Sequence, residues 1–233
     1  MGAGAMASTT MVFGATGGFG LYRTTVGKKA VMAVTGFILF VYVFAHLIGN
    51  LQIYLGREQI NHYAEFLHSK PLLLWIARLV LFSAVALHIT AAFQLWLLKR
   101  KARPVGYIKE NNPPAGYASR TMIWSGPFIA AFVIFHILHL TTGSLGLPYR
   151  ELDVYDNLVN GFRLLPVSIF YTIAMALLCL HLYHGLWSMF QSLGVNHPRY
   201  TPWLKRLSAA LAIFIAAGNI SIPIAVLGGW IGS

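Results

Sequence analysis

Residues Thr121–Gly143 read TMIWSGPFIAAFVIFHILHLTTG, a run without one acidic or fixed basic side chain. A helix rises about 1.5 Å per residue and the hydrocarbon layer of a bilayer is about 30 Å thick, so roughly 20 apolar residues cross it. The run is long enough to span. It also carries two histidines, His136 and His139, at a depth where ionisable groups are costly and usually functional.

Four more runs of this kind flank it, at Ala30–Gln52, Leu72–Leu98, Leu165–Phe190 and Leu207–Trp230. The expected fold is all-α, an integral membrane bundle of five transmembrane helices forming a single domain over residues 1–233. Composition agrees: 57% of residues are hydrophobic and 10% charged, against about a quarter charged in soluble domains. The formal charge of +11 does not call for nucleic acid, because the basic residues sit in short links between apolar runs, where they set topology. The one cysteine, Cys179, can form neither an internal disulfide nor a CxxC site. The first twenty residues lack the positive start and compact apolar core of a signal peptide and read as a flexible tail. Arg103–Gly116, rich in proline and asparagine, reads as a loop, and Pro223 is expected to kink the fifth helix.

Arg23, Lys28 and Lys29 precede the first span. Lys99, Arg100, Lys101, Arg103, Lys109 and Arg120 separate the second from the third, and Arg199, Lys205 and Arg206 the fourth from the fifth. The opposite links hold only Arg57, Lys70, Arg150 and Arg163, with five of the six acidic residues. The positive-inside rule then puts the tail (residues 1–29) in the cytoplasm and the C-terminus outside a cytoplasmic (inner) membrane.

Four spans each hold a histidine deep in the apolar run: His46, His88, His136 and His181. One buried histidine could simply bond a neighbouring helix; one on each of four consecutive spans points to a cofactor. Facing imidazole pairs suit low-spin haem iron, and no Cys, Asp or Glu accompanies them to suggest zinc or a di-iron site. Depth sorts the pairs. His46 lies about 25 Å and His136 about 24 Å from the basic side by helical rise. His88 lies about 16 Å and His181 about 15 Å from it. His46 and His136 therefore share an outer level, and His88 and His181 an inner one, for two haem b groups stacked across the membrane. Gly36, Gly126 and Gly185 would let backbones or a flat macrocycle approach closely.

Three other intramembrane residues carry expectations. Arg78 lies roughly 15 Å outward of His88 and would meet a haem propionate, or else snorkel to the surface. His139 and His184 follow proposed ligands by three residues, on nearly the same face. They are expected to contact propionates or nearby polar groups without binding iron, the alternative being a bond to a neighbouring helix.

TGFILFVYVFAHLIGNLQIYLG (Thr35–Gly56) with INHYAEFL (Ile60–Leu67) resembles the first helix and following loop of the cytochrome b subunit of succinate dehydrogenase and fumarate reductase. RTMIWSGPFIAAFVIFHILHLTTG (Arg120–Gly143) and YTIAMALLCLHLYHGLWSMFQSLGVNHPRY (Tyr171–Tyr200) resemble its third and fourth helices. The similarity is to the five-helix, di-haem type and runs over about residues 20 to 230. It implies that His46, His88, His136 and His181 are the haem ligands, paired first with third and second with fourth. It also implies a flavoprotein subunit with FAD and an iron–sulfur subunit as partners, since neither a dinucleotide fingerprint nor cluster cysteines are present here.

The resulting expectation is the membrane anchor of a succinate:quinone oxidoreductase, respiratory complex II, exchanging electrons with a quinone, menaquinone for preference. The dicarboxylate chemistry would lie in the partners. The rivals are the cytochrome b subunit of a hydrogenase or formate dehydrogenase, and a haem-free proton-coupled transporter. A quinone site is expected beside the outer haem. There the link after the first span offers Asn61, His62, Tyr63, Glu65 and His68, with Glu65, shielded by Tyr63 and Phe66, as proton carrier. An inner site beside the second-to-third link is the alternative.

Overall fold

A computed structural model describes residues 19–102 and 117–232. The tail expected before residue 19 and the loop expected at 103–116 lie outside the described residues. Within them every regular element is helical: α1 (Phe19–Arg23), α2 (Thr25–Asn50), a 3-10 turn (Leu51–Leu55), α3 (Arg57–His68), α4 (Pro71–Lys101), α5 (Tyr117–Leu140), α6 (Val154–Phe162), α7 (Leu165–Ser192) and α8 (Thr201–Leu227). Five of these, α2 extended by its 3-10 turn, α4, α5, α7 and α8, are long and apolar enough to cross a membrane. The chain is a multi-pass membrane protein built as an all-α bundle.

Local chemistry sets the ends beyond the apolar runs. The Thr24 hydroxyl caps the helix by accepting the Gly27 N–H at 3.0 Å, so α2 starts at Thr25, five residues before the expected Ala30. A proline in its first turn starts α8 at Thr201, ahead of the expected Leu207. α5 stops at Leu140, and Gly143, at φ 64°, turns the chain so that the Ser144 N–H reaches the Leu138 carbonyl at 2.9 Å. α8 is continuous through Pro223 to Leu227.

Two helices stand where links were expected. The segment with Glu65 is α3, because Ile60 and Ala64, one turn apart, bury a shared face while Glu58, His62 and Glu65 stay exposed. α6 buries Leu158, Val159 and Phe162.

Burial runs opposite to a soluble bundle. The helix contacts bury small residues, among them Ala33, Ala84, Ala91, Ala174, Ala212, Thr35, Ser125 and Ser208, while Leu72, Leu79, Phe82, Ile134 and Ile213 are exposed. Apolar side chains gain nothing by leaving lipid, so membrane helices associate through small residues that let backbones approach. Exposed tryptophans mark both ends of the bundle: Trp75 and Trp230 at one, Trp124 and Trp203 at the other. α2 packs on α4 and α7, and α7 also packs on α5 and α8. No extended backbone packing joins α2 to α5, or α4 to α7, among the described residues.

At the end away from the basic links, α3 and α6 form a polar clasp. Arg57 pairs with Asp153 at 3.3 Å and with Asp156. Asn61 donates to Asp153 at 3.0 Å and accepts the Tyr155 N–H at 3.0 Å, and Asp153 caps α6 through the Asp156 N–H. Gly232 closes the clasp from beyond α8: its N–H bonds the Tyr155 hydroxyl at 3.1 Å and its carbonyl accepts from Arg163.

Burial pushes the Asp153 carboxyl up, but hydrogen bonds from Asn61 and the Asp156 N–H, with the Arg57 charge, outweigh it and hold the group below the usual range. A depressed folded-state value stabilises the clasp above the unfolded value of about 3.9, and the contribution disappears as pH falls through the folded value. Asp153→Ala also removes a helix cap, worth about 1 kcal/mol. Limited proteolysis is expected to cut near α3 and α6 faster in this variant at neutral pH. In the parent the same acceleration is expected only below about pH 4. Equal cutting at neutral pH would remove Asp153 from this role.

Candidate functional site

Across the two separations in the bundle, histidines meet. The rings of His46 on α2 and His136 on α5 have centres 5.7 Å apart and lie at 90°. Those of His88 on α4 and His181 on α7 are 6.4 Å apart at 55°. These are the pairs that the depths along each helix give. A metal ion sits about 2 Å from an imidazole nitrogen. With each ring centre roughly 1 Å further back, two rings on opposite sides of one ion have centres about 6 Å apart. Both pairs stand at that distance.

Three of the four rings have Nδ1 held from behind. His88 Nδ1 lies 3.2 Å from Thr35 Oγ1. The Thr35 proton is already directed at the Val31 carbonyl, 2.8 Å away, so Thr35 accepts, His88 carries its proton on Nδ1, and the Nε2 lone pair is free. His181 Nδ1 is 3.4 Å from Ser125 Oγ, and His136 Nδ1 is 3.3 Å from the Tyr171 hydroxyl. Metal-binding histidines are typically held in this way, the second nitrogen anchored so that the first presents its lone pair. His46 stacks on Tyr42 instead, ring centres 5.4 Å apart at 16°. Thr35, Ser125 and Tyr171, all buried, are the contributors that motif reading passed over.

The donor set fits haem. Each centre has two facing imidazoles, the ligand pair that low-spin haem iron takes. Gly36 lies against the His88 ring: a Cβ there would be 3.3 Å from His88 Cε1. A Cβ at Gly126 or Gly185 would meet nothing within 4 Å.

The remaining expected residues are placed as follows. His139 is fully buried; its Nδ1 bonds the Tyr171 hydroxyl at 3.0 Å, a neighbouring-helix contact. His184 packs edge-on against Trp187. Arg78 is exposed, with its guanidinium 5.0 Å from the Trp75 ring centre, toward the clasp end of α4. Glu65 is exposed on α3, and the expected shielding does not form: Phe66 is exposed as well, and Tyr63 leans on Gly49 of α2. Asn61 is engaged in the clasp, and His68 Nδ1 contacts the Ala64 carbonyl at 2.8 Å. Compared with models of known families, with characterised proteins and with solved structures, the chain matches none.

Proposed function

We propose that this protein is a di-haem cytochrome b, the membrane anchor and electron-carrying subunit of a succinate:quinone oxidoreductase. The observation that carries the haem assignment is the pair of facing imidazole couples at coordinating separation, His46 with His136 and His88 with His181. These four residues would hold the two irons through Nε2, and Thr35, Ser125 and Tyr171 would hold the rings. When bound, haem supplies one-electron transfer at two levels of the bundle. The chain's own part is to fix ring orientation and tautomer and to keep the centres in an apolar interior.

The succinate assignment rests on the similarity of the runs at Thr35–Leu67, Arg120–Gly143 and Tyr171–Tyr200. In this reading the basic end faces the cytoplasm and receives the iron–sulfur subunit, with the FAD-bearing flavoprotein beyond it. A quinone, menaquinone for preference, exchanges electrons near the clasp end, where exposed Glu65 is in reach of water for proton exchange. Arg78 and His184 are proposed to face propionates.

A reduced-minus-oxidised visible spectrum of the purified complex tests this. The expected result is a low-spin haem b signal, two haems per chain, with a flavin-bearing partner co-purifying. A haem-free spectrum would overturn the reading in favour of a proton-coupled transporter. Haem with a nickel- or molybdenum-bearing partner would move the chain to a hydrogenase or formate dehydrogenase.

A further inference from the structure

Tyr171 of α7 stands between two histidines of α5, its hydroxyl 3.3 Å from His136 Nδ1 and 3.0 Å from His139 Nδ1. Tyr171 is 6% and His139 2% exposed, so no bulk water competes for these bonds. A phenol has one proton to donate and lone pairs to accept. With Nε2 of His136 given to a metal, its Nδ1 keeps the ring proton and donates to the Tyr171 oxygen. The phenol proton then goes to His139 Nδ1, because a phenol accepting from both rings would leave its own proton unpaired in this buried site. The reverse order would require lone pairs on both nitrogens of His136, an anionic ring. His139 thus carries its own proton on Nε2, which has no hydrogen-bond partner. That atom faces the α6 backbone, where a Cβ on Gly161 would lie 2.6 Å away. The three groups form a one-way chain, His136 to Tyr171 to His139, with a closed end.

From this geometry, and on the haem reading given above, we infer that Tyr171 is a positioning residue that tunes the His46–His136 centre and makes it harder to reduce. An acceptor behind Nδ1–H gives the ring more anionic character, so it donates more strongly to the oxidised metal. The acceptor is strengthened because its own proton is drawn toward His139. The other centre has no such relay: His181 reaches Ser125 at 3.4 Å, and His88 reaches Thr35, whose proton goes to its own helix. The two centres are therefore tuned differently by the protein.

The test is a redox titration of the intact, haem-loaded complex, followed by haem absorbance. The parent is compared with Tyr171→Phe, His139→Leu and Ser125→Ala. In Tyr171→Phe one of the two components should become easier to reduce. Its reduced-to-oxidised ratio at fixed potential should rise about tenfold, equivalent to about 59 mV for one electron. His139→Leu should move the same component the same way by less, and Ser125→Ala should leave that component in place. If Tyr171→Phe fails to assemble, His139→Leu decides alone. Two unmoved components in Tyr171→Phe, or a shift in His139→Leu of the opposite sign, would overturn the inference and leave the haem reading standing. A parent complex without haem would instead remove the reading on which it rests.

Discussion

His136→Ala is expected to lose one haem per chain and keep the other, whereas His139→Ala keeps both. These histidines are only three positions apart, but their surroundings differ. The His136 ring faces His46 across the separation between α2 and α5. His139 is enclosed by Tyr171 and the Gly161 backbone and has no histidine opposite. Removing His136 deletes one of two protein donors to a centre. Removing His139 leaves both donors and only frees the phenol proton. By the same logic His88→Ala should lose the other haem. Quantitative haem extraction with the visible spectrum reads the stoichiometry. Retention of both haems in His88→Ala, or loss on His139→Ala but not on His136→Ala, would refute the pairing.

The second large effect is expected at Gly36. An alanine Cβ would stand 3.3 Å from His88 Cε1 and 3.6 Å from Nδ1, close enough that the ring must yield by a few tenths of an ångström. Gly36→Ala should therefore keep both haems. Leucine would project its branches into the volume of the ring. The ring cannot turn away without giving up Thr35, and overpacking of this kind typically costs about 1–3 kcal/mol. Gly36→Leu should lose the His88–His181 haem and spare the one at His46–His136, which lies elsewhere along the bundle. Loss of both, with protein still in the membrane, would show that Gly36 serves general helix packing and not the His88 ring.

The spans were legible because hydrocarbon thickness imposes a length that apolar runs must meet. The histidine pairs were legible because a helix converts residue number into depth. Local polar chemistry was harder to read. α3 and α6 are short and mixed in composition, and besides their buried faces they are held by the Arg57, Asn61 and Asp153 contacts across about 90 residues of sequence. The expected shield over Glu65 failed for a related reason: once the segment is helical, Glu65 lies two residues from Tyr63 and one from Phe66, spacings at which side chains do not face each other.

Thr35, Ser125 and Tyr171 did leave a trace in the sequence. Thr35 precedes His46 by 11 residues, Ser125 precedes His136 by 11, and Tyr171 precedes His181 by ten. That is about 15 to 16 Å along a helix. Each of these helices thus carries a histidine at one level and a hydroxyl at the other, where it supports a neighbour's histidine. On α4 the matching position, ten residues before His88, is Arg78.

The contacts of Gly232 impose an order on biogenesis. α3 and α6 reach their side of the membrane while the fifth span is still to be inserted. Arg57, Asn61 and Asp153 can find one another at that stage. Tyr155 and Arg163 cannot, because their backbone partner follows α8. The closed cap therefore becomes available only after α8 has crossed. A nascent chain halted between α7 and α8 would display α6 without this anchor.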